Sequence, residues 1–203
     1  MTGVATPTRV RTRARWLAVG VVIVLAIAAV AGMWWWQRAS GPEALAGERL
    51  TVFPDIDGSA LDPGQARIVA VARAEFADPG DGRKYAEGVE ESWCADFVSW
   101  VMREAELPLE NPNSGSWRIP GVYTLQEYYE ARQRFAAAGS GYQPRTGDVV
   151  LYDHDSPFGQ HTNIVLTADA DTLTTIGGNE QGEIGIHHYA RADVPGMVGF
   201  GRV

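Results

Sequence analysis

The spacing of apolar residues changes along this chain, and the order of the two spacings limits the folds that it can adopt. Apolar residues follow a helical spacing in three segments that precede Gly147, and they follow a strand-like spacing in the segments after it. Helices grouped ahead of strands are typical of a protein whose helices cover one antiparallel sheet. The predicted fold class is therefore α+β, with an antiparallel sheet formed by the C-terminal part of the chain.

The same patterns give approximate bounds for the elements. The first helix is predicted over residues 63–78, because Asp62 can cap it and Pro63 suits its first position. The second helix is predicted over residues 93–106, with Ser92 as its candidate cap. The other predicted elements are a helix over 123–138 and strands over 148–153, 161–168, 172–179, 182–189 and 197–203.

An uncharged apolar run, residues 16–36, predicts a transmembrane helix near the N-terminus. Its length suits the span of about 20 residues that a bilayer requires. Residues 1–15 contain four arginines and no acidic residue, so we expect them to be a basic cytoplasmic tail and the remainder to lie outside the membrane. A cleaved signal peptide is the alternative, although its apolar core is usually shorter, roughly 7–15 residues.

The remaining chain divides into a linker and one domain. Residues 37–60 are polar and rich in Gly and Pro, and they are interpreted as a linker, whereas residues 61–203 carry the regular periods. After residue 36 the chain has 13 basic and 25 acidic residues, a net charge of −12. Such an acidic domain is not expected to bind nucleic acid, and an anionic polymer would require a specific groove.

The chain contains a single cysteine, Cys94, in the segment WCADFVSW. It lies on the apolar stripe of the predicted second helix, so a buried thiol that only packs is one interpretation. It also lies in the first turn of that helix, where the positive end of the helix dipole stabilises a thiolate. A histidine close to this thiol would favour a catalytic role.

Among the four histidines, His161 has the most suggestive position. A turn centred near Ala170 would pair strand 161–168 with strand 172–179, so that opposed residue numbers add up to 340. In this register His161 faces Asn179, with Cβ atoms about 5 Å apart. The sequence therefore predicts a Cys94, His161 and Asn179 constellation, with the alternative that the last two are merely polar strand ends.

These segments resemble the CHAP family, the cysteine- and histidine-dependent amidohydrolases/peptidases. The Cys-helix segment is WCADFVSW, the histidine segment is GDVVLYD followed by HTNIVL, and the third segment is TIGGNEQG. RKYAEG at 83–88 and the loop that contains Trp117 fit the actinobacterial style of the family. The resemblance covers about residues 61–203 and implies a papain-like fold, in which the Cys helix packs on the sheet.

The resemblance also implies roles for individual residues. Cys94 would be the nucleophile, His161 the base and later the acid, and Asn179 the residue that orients His161. Many members carry Glu two positions before this Asn, where this chain has Gly177. Glu180 is adjacent to Asn179, but in a regular strand it would point to the opposite face.

The implied substrate is peptidoglycan, cleaved at a peptide or amide bond of its stem peptides. Tyr85, Trp93 and Trp117 are candidate substrate-binding residues, and core packing is the alternative for each of them. Some family members bind calcium near the Cys through an Asp-x-Asp-x-Tyr loop. This sequence lacks such a loop, so no metal and no cofactor are expected. The alternative function is a catalytically idle CHAP-like module that binds wall peptide or a partner protein.

Overall fold

The computed structural model of the chain describes residues 45–203. The predicted cytoplasmic tail, the predicted transmembrane segment and the first part of the predicted linker lie outside these residues. The helices are α1 (Pro63–Ala77), α2 (Gly82–Tyr85), α3 (Cys94–Glu104) and α4 (Val122–Ala131). The strands are β1 (Glu48–Arg49), β2 (Phe135–Ala137), β3 (Val149–Tyr152), β4 (His161–Ala168), β5 (Thr172–Glu180), β6 (Glu183–Ala190) and β7 (Met197–Gly201).

The seven strands form one antiparallel sheet in the order β1-β6-β5-β4-β3-β7-β2. The predicted α+β class with an antiparallel sheet is thereby confirmed, and the arrangement is consistent with a papain-like CHAP fold. Helix α3 lies against the central strands β4 and β5. The core between them is fully buried and apolar, and includes Phe97, Val98, Val101, Ile164, Leu166 and Ile176.

Helix α1 begins as its sequence predicts. The side chain of Asp62 accepts a hydrogen bond from the backbone N–H of Gln65 at 2.9 Å, and the Gln65 side chain accepts one from the N–H of Asp62 at 3.0 Å. This reciprocal pair is a capping box, which satisfies two donors that a helix otherwise leaves free. The helix ends at Ala77, one residue before the predicted end.

The start of α3 differs from the prediction. Trp93, not Ser92, is the N-cap residue, and no side chain caps the helix. The backbone N–H groups of the first turn have no partners within the helix itself. Because no side chain accepts hydrogen bonds from these N–H groups, they are available to a ligand beside Cys94, the first residue of the helix.

The predicted third helix is too long. Helix α4 ends at Ala131, and Gln133 takes a left-handed conformation with φ of 55°, which a helix cannot continue through. Residues 135–137 then pair with β7 as strand β2, with Ala136 opposite Phe200. Edge pairing with a strand distant in sequence outweighs the helix propensity of the alanines in this segment.

The folded unit extends further toward the N-terminus than the sequence analysis assigned. Strand β1, residues 48–49, pairs with β6, and Leu50, Phe53 and Ile56 pack against the core. These three apolar side chains are too widely spaced in a polar segment to give a recognisable period. Residues 45–203 include no helix with the length and hydropathy that a membrane span requires.

Candidate active site

Cys94 lies where the end of α3 meets the sheet. Its side chain is buried, with 6% of its surface exposed, and it is a free thiol. The helix rests on β4 and β5, so the first turn of α3 faces the strand that begins with His161. Cys94 is one of the two residues whose interactions raise the pKa of His161, which indicates that the thiol lies close to the imidazole.

His161 is held between the thiol and a carboxylate. Its Nε2 lies 3.6 Å from Oε1 of Glu180, slightly longer than a hydrogen bond. The ring of Phe158 stacks on the imidazole, with centroids 5.7 Å apart and planes 12° from parallel. The imidazole is therefore covered on one face by Phe158, and only 5% of the residue is exposed.

The two neighbours determine the charge of His161. Burial disfavours the imidazolium, but the interactions with Cys94 and Glu180 outweigh burial and raise the pKa of His161 to about 9. Near neutral pH the imidazole is therefore protonated. A protonated imidazole in contact with a thiol favours the thiolate, which is the nucleophilic form of cysteine.

Glu180, rather than Asn179, occupies the position beside His161. The predicted register is confirmed where Val165 faces Thr175, but the β4–β5 pairing extends only to Ile164 and Ile176. A bulge then follows between Gly177 and Glu180 in the pairing with β6, and Asn179 has φ of 60°.

The bulge overturns two expectations about side-chain direction. Because the strand is irregular at Gly178 and Asn179, the alternation of faces is broken and Glu180 points toward His161. Within residues 45–203 no hydrogen bond joins Asn179 to His161. The Gly-Gly-Asn sequence is a recognisable signal for such a bulge, since glycine and asparagine tolerate the left-handed conformation.

The carboxylate of Glu180 is buried and surrounded by donors. Asn163 donates from Nδ2 to Oε1 at 3.0 Å, and Nε2 of His187 lies 2.9 Å from Oε2. Burial alone would raise the pKa of Glu180, but the interactions with His161 and His187 outweigh it and lower the pKa. Glu180 is therefore a carboxylate at neutral pH, where His161 is an imidazolium.

The sequence comparison assigns this region to a known type of domain. Residues 84–179 match the CHAP domain family. The match contains Cys94 and His161 and ends at Asn179, one residue before Glu180. No curated protein matches the chain in a sequence search. The chain has Gly177 two positions before Asn179 and Glu180 directly after it.

The three aromatic residues proposed to bind substrate differ in position. Tyr85 is fully buried, its hydroxyl donates to Glu75 at 2.7 Å, and its ring stacks on Trp93 at 5.1 Å, so Tyr85 supports Trp93 from behind rather than facing solvent. Trp93 is nearly buried but borders a cleft together with Asp81, Gly82, Arg83, Val89, Glu90 and Glu91. Trp117 is half-buried and packs under Arg103, 4.0 Å from its guanidinium carbon, on α3.

Asp96, which follows the cysteine by two residues, forms an ion pair with an arginine inside the protein. It is fully buried, and Arg118 donates to it from Nε at 2.7 Å. Burial and the nearby charge of Glu87 raise the pKa of Asp96 to about 7. Among residues 45–203 the His, Cys, Asp and Glu side chains form no cluster of three or more suited to a metal ion.

Two glycines create the space that the Glu180 carboxylate occupies. A Cβ on Gly185 would lie 1.8 Å from Oε2 of Glu180, and a Cβ on Gly177 would lie 2.6 Å from Oε1. Neither glycine has a positive φ, so space rather than backbone conformation requires glycine there. The Glu180 carboxylate can occupy this site because β5 and β6 lack side chains at these two positions.

We expect Gly185→Ala to displace Glu180 and to lower activity. The methyl group must push the carboxylate away from Asn163 and His187, and overpacking of this kind costs about 1–3 kcal/mol of unfolding free energy. Gly58→Ala is the matched control, because nothing lies within 4 Å of its Cβ position. Urea unfolding and hydrolysis rates of both variants provide the measurement, and a fully active Gly185→Ala protein would contradict the prediction.

Proposed function

We propose that this protein is a membrane-anchored, extracytoplasmic peptidoglycan hydrolase that uses Cys94 as its nucleophile. The proposal rests on one observation above all: a buried imidazole, that of His161, lies between the only thiol and a buried carboxylate. The CHAP match supports the reaction class, because the family name denotes amidohydrolases and peptidases that depend on cysteine and histidine.

The proposed reaction is acyl transfer in two steps. The Cys94 thiolate attacks the carbonyl carbon of a stem-peptide amide, and a carbon–sulfur bond forms. His161 donates its proton to the leaving amine as the carbon–nitrogen bond breaks, which leaves a thioester and a neutral imidazole. Water then attacks the thioester, His161 accepts its proton, and the carboxylic acid leaves with regeneration of the thiolate.

The uncapped start of α3 supplies the remaining element of the mechanism. The tetrahedral intermediate carries a negative oxygen, which backbone N–H groups can stabilise. The N–H of Cys94 lies at the start of a helix with no capping side chain. We assign this N–H as one oxyanion donor, and the positive end of the helix dipole acts in the same direction.

The N-terminal sequence supports the proposed location. The uncharged run 16–36 after a basic tail is typical of an anchor that leaves the C-terminal domain outside. Anchoring also offsets the repulsion between a domain of net charge −12 and anionic wall polymers, because it keeps the domain near the wall. Specific contacts in the cleft beside Trp93 would then select the peptide.

Digestion of purified peptidoglycan tests this function. The full-length protein should release new muropeptides, and their masses identify the bond that is cut. Protein treated beforehand with iodoacetamide is the control, because Cys94 is the only cysteine that the reagent can block. Absence of products from folded, untreated protein, or the same products after alkylation, would contradict the proposed thiol mechanism.

The pH dependence of hydrolysis should reflect His161. Its pKa of about 9 means that the proton for the leaving amine is present at neutral pH and is lost as pH rises through about 9. We therefore expect the rate to fall above that pH. Because the pKa is raised from 6.5, the contribution of His161 to folding stability is complete below about pH 6.5 and is lost over the same upper range.

Rate measurements across this range, with circular dichroism at each pH, check the prediction. A rate that continues to rise beyond pH 10, in protein that is still folded, would show that His161 does not supply the proton.

A further inference from the structure

A second histidine lies behind the carboxylate of Glu180. His187 is on β6 and is fully buried. Its Nε2 lies 2.9 Å from Oε2 of Glu180, and its Nδ1 lies 3.1 Å from the carbonyl oxygen of Ala46. A carboxylate and a carbonyl oxygen both only accept hydrogen bonds. Both ring nitrogens of His187 must therefore carry a proton for the two contacts to be favourable.

We infer that His187 is a positioning residue that acts on His161 through Glu180. This inference rests on the proposed thiol mechanism and extends it. The imidazole of His187 lies against Oε2 of the carboxylate in a buried ion-pair contact of 2.9 Å, and this contact leaves Oε1 on the side of His161. The four side chains then form one line of contacts from Cys94 through His161 and Glu180 to His187.

The two carboxylate oxygens of Glu180 contact different residues. Oε1 accepts from Asn163 and faces His161, whereas Oε2 faces only His187 among these polar side chains. Glu180 and His187 have no solvent-exposed side-chain surface. Without His187, Oε2 would be a buried carboxylate oxygen with no basic side chain beside it, which destabilises the carboxylate in this position.

An aromatic ring separates the line of contacts from solvent. Phe158 stacks on His161 and presents its edge to His187, with centroids 5.3 Å apart and planes 84° from parallel. In such a site charges interact more strongly than they do in water. Loss of the donor on His187 should therefore change the charge of His161.

The other ionisable groups that face this line are few among the described residues. Cys94 approaches from α3, and the hydroxyls of Tyr152 and Tyr189 approach from β3 and β6. Arg49 on the adjacent β1 pairs with Glu183 at 2.8 Å instead. His187 is therefore the basic side chain that faces Glu180 on the side away from His161.

Two conservative substitutions separate the two contacts of His187. The side-chain amide of His187→Gln can reach the position of Nε2, so it retains a donor for Glu180 and loses the contact with Ala46. The side-chain amide of His187→Asn can reach the position of Nδ1, so it retains the contact with Ala46 and loses the donor for Glu180. If His187 served only to hold Ala46 in place, His187→Gln would be the less active of the two variants.

We expect the opposite order. His187→Asn should hydrolyse peptidoglycan about 10- to 100-fold more slowly, as is usual for loss of a supporting contact behind a functional ligand. It should also slow alkylation of Cys94 by iodoacetamide at neutral pH, because His161 is then less firmly positioned to act on the thiol. His187→Gln should retain most of both rates. Equal rates in the two variants, or a slower glutamine variant, would overturn the inference.

A measurement on the unaltered protein covers the case in which a variant does not fold. The chain has four histidines, so long-range ¹H–¹⁵N spectra can report the protons on each ring. The contact with Oε2 of Glu180 requires a proton on Nε2 of His187, and spectra that show an unprotonated Nε2 would overturn the inference. Neither this spectrum nor the alkylation rate requires a substrate, so failure of the inference is distinguishable from absence of peptidoglycan hydrolysis.

Discussion

Replacing Cys94 with serine is expected to abolish peptidoglycan hydrolysis while the domain stays folded. A serine hydroxyl ionises far less readily than a thiol, so His161 and the helix dipole cannot convert it to the charged nucleophile. Loss of a nucleophile that acts together with its base lowers turnover by at least about 10³-fold. The side chain is buried beside polar groups, and the single-atom change should alter the unfolding free energy by about 1 kcal/mol or less.

The measurement compares muropeptide release by the wild type and by Cys94→Ser at equal concentration. Thermal unfolding and near-ultraviolet circular dichroism establish that both are folded. Muropeptide release at the wild-type rate by Cys94→Ser would mean that the thiol is not the nucleophile. Complete loss, together with continued binding to insoluble peptidoglycan, would separate the catalytic step from recognition and exclude a purely binding function.

The parts of the fold that depend on neighbouring residues could be predicted from the sequence. The capping box of α1 involves Asp62 and Gln65, which are three positions apart, and this pair can be recognised in the amino-acid sequence. The predicted bounds of strands β3 to β7 lie within a few residues of those observed, because short polar turns separate segments with a strand-like apolar pattern. Val165 faces Thr175 as predicted, although the pairs nearer the turn are offset by one residue and a bulge between Val165 and Thr167 restores the predicted register.

The errors concern contacts between residues that are distant in sequence. Residues 135–137 carry a helical pattern but become an edge strand, since β7 provides backbone partners that no local pattern indicates. Tyr85 was assigned to the substrate groove, yet its hydroxyl has a buried partner in Glu75 on α1. In both cases the tertiary partner decides the outcome, and a single sequence does not identify that partner.

The third residue of the site shows how a small backbone feature changes a chemical interpretation. The prediction that Asn179 faces His161 assumed a regular strand through Gly177 and Gly178. The bulge at these glycines shifts the alternation by one position and brings Glu180 to the site. A carboxylate stabilises an imidazolium more strongly than an amide does, so the shift changes the charge of the site and not only the identity of the residue.

Replacing Glu180 with glutamine is therefore expected to lower turnover by about 10²- to 10³-fold, within the range for disrupted acid–base catalysis. The amide is neutral, so it no longer stabilises the imidazolium of His161. It also has one acceptor oxygen where the carboxylate has two, and it cannot accept from both Asn163 and His187. We expect unfolding free energy to fall by about 1–3 kcal/mol as a result.

Asn179→Gly is the matched comparison at the neighbouring position. Glycine adopts the φ of 60° without strain, so this variant removes the amide side chain and preserves the bulge. Asn179→Ala would not serve, because alanine in the left-handed conformation costs about 1–2 kcal/mol and would disturb Glu180 as well. If Glu180 supports His161, Asn179→Gly should retain most of the wild-type turnover.

The two variants together decide which residue stabilises His161. The pH profile of hydrolysis adds a second criterion, since loss of the Glu180 charge should move the decline at high pH to a lower value. A shifted profile in Glu180→Gln and an unchanged one in Asn179→Gly would assign the role to the carboxylate. The reverse pattern would restore Asn179 as the orienting residue and would leave Glu180 as a buried partner of His187 alone.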